Sequence, residues 1–269
     1  MKKIKIIALT ILLSLLTTNL TFADYGIYYG TNKNYVKKTF SKFDLMIIQP
    51  YNFNLFKNYT GKKICYLTVG EFDGSENELN NLGLKEAKVG INNEWNSIIM
   101  NMSNLKWQNY LLNKSNELKT MGCDGMFLDT IWNDGQELGG IEIVKKLRSN
   151  WKNSIIIPNN PHNIKKEIFD YVDGAMFENF WDYGTKAKSG DGEWYNELSN
   201  EYKKEYVDKG KQVYALSYGN TFVKNLLRKK WGQEVLQLAN KYGFQLIFSD
   251  YNLTKIYGYK VNRKLIKFK

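Results

Sequence analysis

Cysteine, histidine and proline are scarce in this 269-residue sequence, and their scarcity excludes several kinds of protein. Two cysteines cannot form the disulfide framework of a small secreted domain. The single histidine, His162, rules out a two-histidine metal site, and no metal-ligand spacing is present. This residue lies in the loop-like stretch NNPHN, where we expect it to be solvated, and no G-x-S-x-G motif suggests a serine hydrolase triad. We therefore expect neither a metal nor another cofactor.

Long apolar runs are also missing, except at the N-terminus. Three lysines in residues 1–5 precede an apolar stretch over 6–16, and small residues follow at 21–23. This pattern predicts a secretory signal peptide over residues 1–23, since the apolar stretch is short for a membrane span; a retained anchor is the alternative. We expect a secreted or periplasmic protein, with one domain over residues 24–269 and no stable membrane insertion after cleavage.

The formal charge is +11, and it falls to +8 without the predicted signal peptide, which carries three lysines and no acid. Basic proteins often bind anionic surfaces, but these lysines are spread along the chain and no nucleic-acid-binding module is present. We therefore expect solvated lysines on helix faces, no nucleic-acid partner, and a monomer. Cys65 and Cys123 lie in or just before predicted strands, and the sequence leaves open whether they are bonded or free.

Short apolar runs recur along the chain and alternate with helix-like stretches, which predicts a parallel sheet built from strand–helix units. Eight strands in one domain of this length match a (β/α)8 TIM barrel; a doubly wound sheet is the alternative, but no G-x-G-x-x-G follows the first strand. We predict a helix over 94–120, an insertion over 72–93 between strands three and four, and a short last helix. The eight predicted strands cover 26–30, 45–49, 64–71, 125–129, 154–160, 174–179, 212–219 and 244–250.

Carboxylates and amides stand at the predicted carboxyl ends of these strands. The runs DGMFLD and DGAMFE both consist of Asp-Gly, three mostly apolar residues and a carboxylate, Asp129 in one and Glu178 in the other. Residues at the strand ends of a barrel surround the substrate, although a turn or helix cap is the alternative role for each taken alone. Paired carboxylates suit glycoside hydrolysis, with either stereochemical outcome open. The other strand-end residues are Gln49, Glu71, Asn160 and Asp250.

Aromatic residues cluster at or just after the same strand ends, where flat rings can stack on sugars. For any single ring, a place in the core is the more common role. With the strand-end polar residues, they give a predicted substrate-binding set of Tyr29, Gln49, Tyr51, Glu71, Trp132, Asn160, Trp181, Tyr218 and Asp250.

The segments GCDGMFLDT, YLTVGE, DGAMFEN and YGFQLIFSD resemble the endo-α-1,4-polygalactosaminidases of glycoside hydrolase family 114. The resemblance implies a secreted, metal-free (β/α)8 barrel that hydrolyses galactosamine-rich exopolysaccharide. It places the catalytic pair at Asp129 and Glu178 and a substrate contact at Glu71. One position departs from the pattern, because strand two ends in Gln49 where relatives often have an aspartate. A chitinase motif does not fit, since it would need acids at Phe127 and Ile131.

Three functions follow from these observations. The first is a secreted glycosidase acting on a galactosamine-type polymer, and the second is an enzyme acting on a related amino-sugar biofilm polymer. The third is a non-catalytic carbohydrate-binding barrel of the cell envelope, in which the carboxylates only bind hydroxyl groups. For the enzyme, the apolar neighbours of Glu178 predict a general acid. The more polar neighbours of Asp129, such as Thr130, predict an ionised nucleophile or base.

Overall fold

The computed structural model describes residues 24–132, 135–181, 191–218, 230–261 and 264–267. The predicted signal peptide lies outside these ranges. No helix within them is long and apolar enough to cross a membrane.

Thirteen strands and six α-helices lie within the described residues. The strands are β1 Tyr25–Tyr28, β2 Leu45–Ile48, β3 Lys62–Thr68, β4 Glu71–Phe72, β5 Lys88–Asn92, β6 Ser97–Met100, β7 Gly125–Asp129, β8 Ile155–Pro158, β9 Gly174–Glu178, β10 Gln212–Tyr218, β11 Gln245–Ser249, β12 Ile256–Val261 and β13 Lys264–Lys267. The α-helices are α1 Lys33–Thr39, α2 Glu76–Asn81, α3 Leu105–Met121, α4 Glu137–Asn150, α5 Asp191–Glu205 and α6 Lys230–Tyr242.

Eight parallel strands form the (β/α)8 barrel that the sequence predicts. One ladder runs β1-β2-β3-β7-β8 and a second contains β9-β10-β11, with a parallel bridge from Asn159 to Met176 between them. From the first strand, the Tyr25 hydroxyl reaches β10, the seventh barrel strand, and donates to the Ala215 carbonyl at 2.7 Å. The Tyr29 amide donates to the Leu253 carbonyl at 2.8 Å. Apart from β3, these strands are almost wholly buried, as expected for parallel strands covered on both faces.

The insertion after β3 is larger than predicted and contains its own sheet. Strands β4, β6 and β5 pair antiparallel in that order, and α2 connects β4 to β5. The helix predicted over 94–120 is therefore wrong in its first part, because Ile98 and Ile99 belong to β6. Helix α3 begins only after Asn104, whose side chain accepts from two backbone amides of the first turn.

The short last helix is also wrong. The chain after β11 forms an antiparallel hairpin, β12–β13, and β12 pairs with β11 at the edge of the barrel. The segment Ile256–Val261 reads IYGYKV, in which β-branched and aromatic residues recur, and such residues favour a strand over a helix.

The two cysteines are bonded to each other. Cys65 lies on β3 and Cys123 directly precedes β7, which pairs with β3, and their Cα atoms are 6.0 Å apart. The bond ties two barrel strands together across a separation of 58 residues, which includes the whole insertion.

Candidate active site

A cleft of about 680 Å³ lies at the carboxyl ends of the barrel strands. Asp129 ends β7 and Glu178 ends β9, so the two carboxylates reach this cleft from strands that are two positions apart in the barrel. The cleft is lined by Tyr29, Gln49, Tyr51, Tyr66, Glu71, Asp73, Asn92, Trp95, Asp129, Thr130, Trp132, Asn159, Asn160, Glu178, Tyr218, Tyr251, Asn252 and Leu253.

One amide nitrogen bridges the two carboxylates. Asn159, at the end of β8, donates from Nδ2 to Asp129 Oδ1 at 2.8 Å and to Glu178 Oε2 at 2.5 Å. The amide belongs to a buried residue on the strand between the two. Both carboxylates are therefore held at the same point of the cleft floor.

Asp129 receives two further hydrogen bonds. The Tyr66 hydroxyl donates to Oδ2 at 2.9 Å, and the Thr130 backbone amide donates to Oδ1 at 2.9 Å. Thr130 adopts φ of +54°, a left-handed conformation that is rare for a β-branched residue. Its hydroxyl is held by contacts with Thr68 and the Gly70 amide. The surrounding structure thus maintains a strained turn that directs an amide at Asp129.

Glu178 has a more enclosed position. Burial, followed by the nearby charge of Asp129, raises the pKa of Glu178, while hydrogen bonds from Tyr218 and Asn159 act in the opposite direction. The Tyr218 hydroxyl donates to Oε1 at 2.5 Å. The Glu178 backbone amide donates to Asn160 Oδ1 at 2.9 Å, so the side chain of Asn160 holds the strand end.

Two half-buried tyrosines lie beside the carboxylates. Burial and the charge of Asp129 raise the pKa of both Tyr29 and Tyr66 above the ordinary value. Both therefore stay protonated over the physiological range, and their hydroxyls remain hydrogen-bond donors.

Glu71 lines the cleft, but both of its carboxylate oxygens accept hydrogen bonds from side chains of the insertion. Asn92 Nδ2 donates to one oxygen at 3.0 Å and Ser97 Oγ to the other at 2.5 Å, and the residue is 8 % exposed. Its contacts thus fasten the turn end of the β5–β6 hairpin to β4, at the wall of the cleft.

The structure does not bring Asp250 and Trp181 into the cleft lining. Asp250 accepts hydrogen bonds from the Thr254 amide and hydroxyl and from the Lys255 amide, so it organises the turn after β11. The carbonyl of Trp181 accepts from the Trp231 indole at 3.0 Å, and the Trp181 ring packs 5.5 Å from that of Tyr195.

His162 is not the solvated loop residue that the sequence suggests. Its Nδ1 lies 2.9 Å from the Tyr202 hydroxyl, and its ring packs against Trp132 and Phe177. Burial, together with the charge of Lys165, lowers its pKa to about 4. The residue is therefore a neutral packing element behind the cleft.

Asn159, Tyr66, Asp73 and Trp95 line the cleft but were not predicted. A signal for Tyr66 existed, because alternation along β3 gives it the phase of Thr68, whose register partner is Asp129. Asn159 is adjacent to the predicted Asn160, and the sequence does not show which of the two amides reaches the carboxylates. Among the described residues, no group of three or more His, Cys, Asp or Glu side chains could hold a metal ion.

Residues 27–264 match the model of glycoside hydrolase family GH114. The chain belongs to this family. It is a glycosidase with a (β/α)8 barrel, as the sequence segments predict. No curated protein matches it by sequence.

Solved structures of glycoside hydrolases share the barrel of this GH114 protein. The glycoside hydrolase domain of PelA from Pseudomonas aeruginosa superimposes with a TM-score of 0.70 at 19% identity, over 86% of this chain and 96% of that one. Ega3 from Aspergillus fumigatus, in complex with galactosamine, gives 0.63 at 15% identity, over 91% and 95%. The α-galactosidase TtGalA from Thermus thermophilus, in complex with stachyose, gives 0.60 at 10% identity, over 90% and 64%.

Proposed function

We propose that this GH114 enzyme is secreted and cleaves a galactosamine-type or related amino-sugar exopolysaccharide, with Asp129 and Glu178 as its catalytic pair. The observation that carries the proposal is the single Asn159 amide that binds both carboxylates on the floor of the cleft. Paired carboxylates that face one cleft are the machinery of most glycosidases.

The surroundings of the two groups assign their roles. Glu178 has a raised pKa, so it keeps a proton that it can give to the glycosidic oxygen as the bond breaks. Asp129 accepts from Tyr66, Thr130 and Asn159, and these three donors hold its carboxylate in place at the cleft, as a nucleophile or base requires.

The shared amide also limits the distance between the two carboxylates, and this distance distinguishes retaining from inverting glycosidases. The two carboxylate oxygens lie 2.8 Å and 2.5 Å from the same nitrogen. Their separation is therefore roughly 5 Å or less, as in retaining glycosidases, and leaves little room for the attacking water of an inverting enzyme. We accordingly assign Asp129 as the nucleophile that attacks the anomeric carbon. Water then releases the sugar from the enzyme, with deprotonated Glu178 as the base.

The charge of the cleft supports a cationic sugar. Four carboxyl groups line it, those of Glu71, Asp73, Asp129 and the proposed acid Glu178, and no lysine or arginine occurs among its described lining residues. An ammonium group is attracted to such a site even though the whole chain carries a formal charge of +11. Asp73 lines the cleft together with Gln49, so it supplies a negative charge near the position where the sequence departs from its relatives. The galactosamine complex of Ega3 is consistent with this substrate class.

Incubation with purified galactosamine and N-acetylgalactosamine polymers tests the proposal, with released oligosaccharides identified by mass spectrometry. We expect products from a polymer that carries free amino groups, and none from the double variant Asp129→Asn/Glu178→Gln. If the wild type binds these polymers but releases nothing, the protein is the non-catalytic binding barrel instead. A search of the culture medium for the mature chain tests secretion.

A further inference from the structure

Exposed aromatic rings are concentrated in the cleft. Among the large exposed apolar residues of the described chain, four are aromatic, and three of these line the cleft: Tyr51, Trp95 and Tyr251, which are 70%, 72% and 64% exposed. The fourth, Trp194, is 50% exposed and lies outside the cleft lining. Exposed apolar surface that is grouped in one cleft marks a ligand-binding groove, and a ring on the cleft wall provides a flat surface for a ligand.

Trp95 is held in place by the insertion. It lies in the turn of the β5–β6 hairpin, between Asn92 and Ser97, and both of these side chains donate to the buried carboxylate of Glu71. The turn is further fixed by a hydrogen bond from the Glu94 amide to Asn92 Oδ1 at 3.1 Å. Asn92 and Ser97, at the two ends of the turn that carries the tryptophan, are therefore both bonded to β4 at the wall of the cleft, and these bonds fix the position of the turn.

Tyr251 stands on the other side of the barrel. Its ring stacks on that of Tyr218, with centroids 4.7 Å apart and an angle of 15° between the planes, and the Tyr218 hydroxyl binds Glu178. Tyr218 ends β10, the seventh barrel strand, whereas the insertion leaves the barrel after β3, the third. In a closed ring of eight strands, the third and the seventh face each other. The catalytic pair comes from the fourth and sixth strands of the same ring.

We propose that Trp95 and Tyr251 are stacking platforms for two non-reacting sugar units of the polymer, on opposite sides of the bond that is cleaved. The inference rests on the proposed function and adds the course of the substrate across the cleft. The chain would run from the insertion hairpin, over the carboxylate pair, to the turn after β11. Contacts on both sides of the pair favour a polymer over a single sugar unit, and the insertion then acts as a binding element for polymeric substrate.

The test compares two substrates in five proteins: the wild type, Trp95→Ala, Trp95→Phe, Tyr251→Ala and Trp194→Ala. One substrate is a galactosamine polymer, and the other is an aryl galactosaminide whose single sugar fills only the catalytic position. We expect the ratio of kcat/KM for the polymer to that for the aryl substrate to fall about tenfold in Trp95→Ala, which corresponds to about 1.4 kcal/mol. Trp95→Phe keeps a ring and should restore most of the ratio, and Trp194→Ala should keep the wild-type ratio. Tyr251→Ala should lower the ratio in the same direction as Trp95→Ala.

Each contrary outcome has a definite meaning. An unchanged ratio in Trp95→Ala, while the wild type still cleaves the polymer, overturns the platform and leaves the proposed function intact. An equal loss on both substrates places the effect on the catalytic pair and also overturns it. If the wild type cleaves neither substrate, the proposed function fails. Calorimetric binding of a galactosamine oligosaccharide then decides the platform, since a weaker Kd in Trp95→Ala supports it and an equal or absent affinity overturns it.

Discussion

Asp129 and Glu178 end strands of the same sequence pattern, yet their surroundings differ. Asp129 accepts three hydrogen bonds, one of them from the backbone amide of a left-handed Thr130. Glu178 follows the buried Phe177, accepts from Tyr218 and Asn159, and has a raised pKa. The motif therefore brings a carboxylate to the cleft, whereas residues from neighbouring strands decide what that carboxylate can do. The predictions below test whether the two groups are as different as their surroundings indicate.

The largest effect is expected when either carboxylate is neutralised. Asp129→Asn and Glu178→Gln are nearly isosteric, so both should fold, and each should lower polymer turnover by at least about 100-fold, the low end for a positioned acid or base. Steady-state kinetics measure the loss, and circular dichroism checks the fold. Trp194→Ala, outside the cleft, serves as the control. Wild-type turnover in both carboxylate variants would remove the pair from the mechanism.

A smaller effect is expected at the amide between them. Asn159→Ala removes the donor shared by both carboxylates, and its hydrogen bond is one of the two that lower the pKa of Glu178. We expect kcat to fall about tenfold and the alkaline limb of the pH–rate profile to move to higher pH, because Glu178 then holds its proton more tightly. Asn81→Ala on α2 provides a control at a surface asparagine. A loss of kcat with an unmoved pH profile would limit Asn159 to a packing role.

The smallest effect concerns stability. Because the pKa of Glu178 is raised in the folded state, the folded protein binds this proton more tightly than the unfolded chain does. The contribution of Glu178 to the free energy of unfolding is therefore fully present below its ordinary pKa of 4.5. This contribution is lost as the pH rises from there through the folded-state pKa. Glu178→Gln should abolish this part of the pH dependence. Urea unfolding from pH 4 to 8 measures this dependence. If the free energy of unfolding changes with pH in the same way in the wild type and in Glu178→Gln, the raised pKa of Glu178 is contradicted.

The sequence predicted the features that depend on apolar strands and on where those strands end. The eight barrel strands follow from their buried apolar runs, and Asp129 and Glu178 follow from the polar residue after such a run. Contacts between distant segments were not predictable in this way. Ile98 and Ile99 share a helical spacing with residues of α3, but pairing with β4 and β5 places them in β6. Tertiary pairing overrides a weak local pattern, and for this reason Trp95 at the hairpin turn was assigned to a helix.

Asp250 and Glu71 show the same limit within the site. Each is a carboxylate at or near a strand end, as Asp129 is, but one binds its own turn and the other binds the insertion hairpin. Which partner a carboxylate finds depends on side chains that lie up to 26 residues away in the chain for Glu71 and 63 for Asp129. A pattern of single strands does not contain this information.

The most direct test of the central claim, that Glu178 is the acid and Asp129 the nucleophile, varies the leaving group of the substrate. A good leaving group needs little protonation, so an aryl galactosaminide with an acidic phenol should partly restore turnover in Glu178→Gln. It should not restore turnover in Asp129→Asn, because the attack on the anomeric carbon still lacks its carboxylate. Restoration in Asp129→Asn but not in Glu178→Gln would reverse the two roles and contradict the account given by the hydrogen bonds of the site.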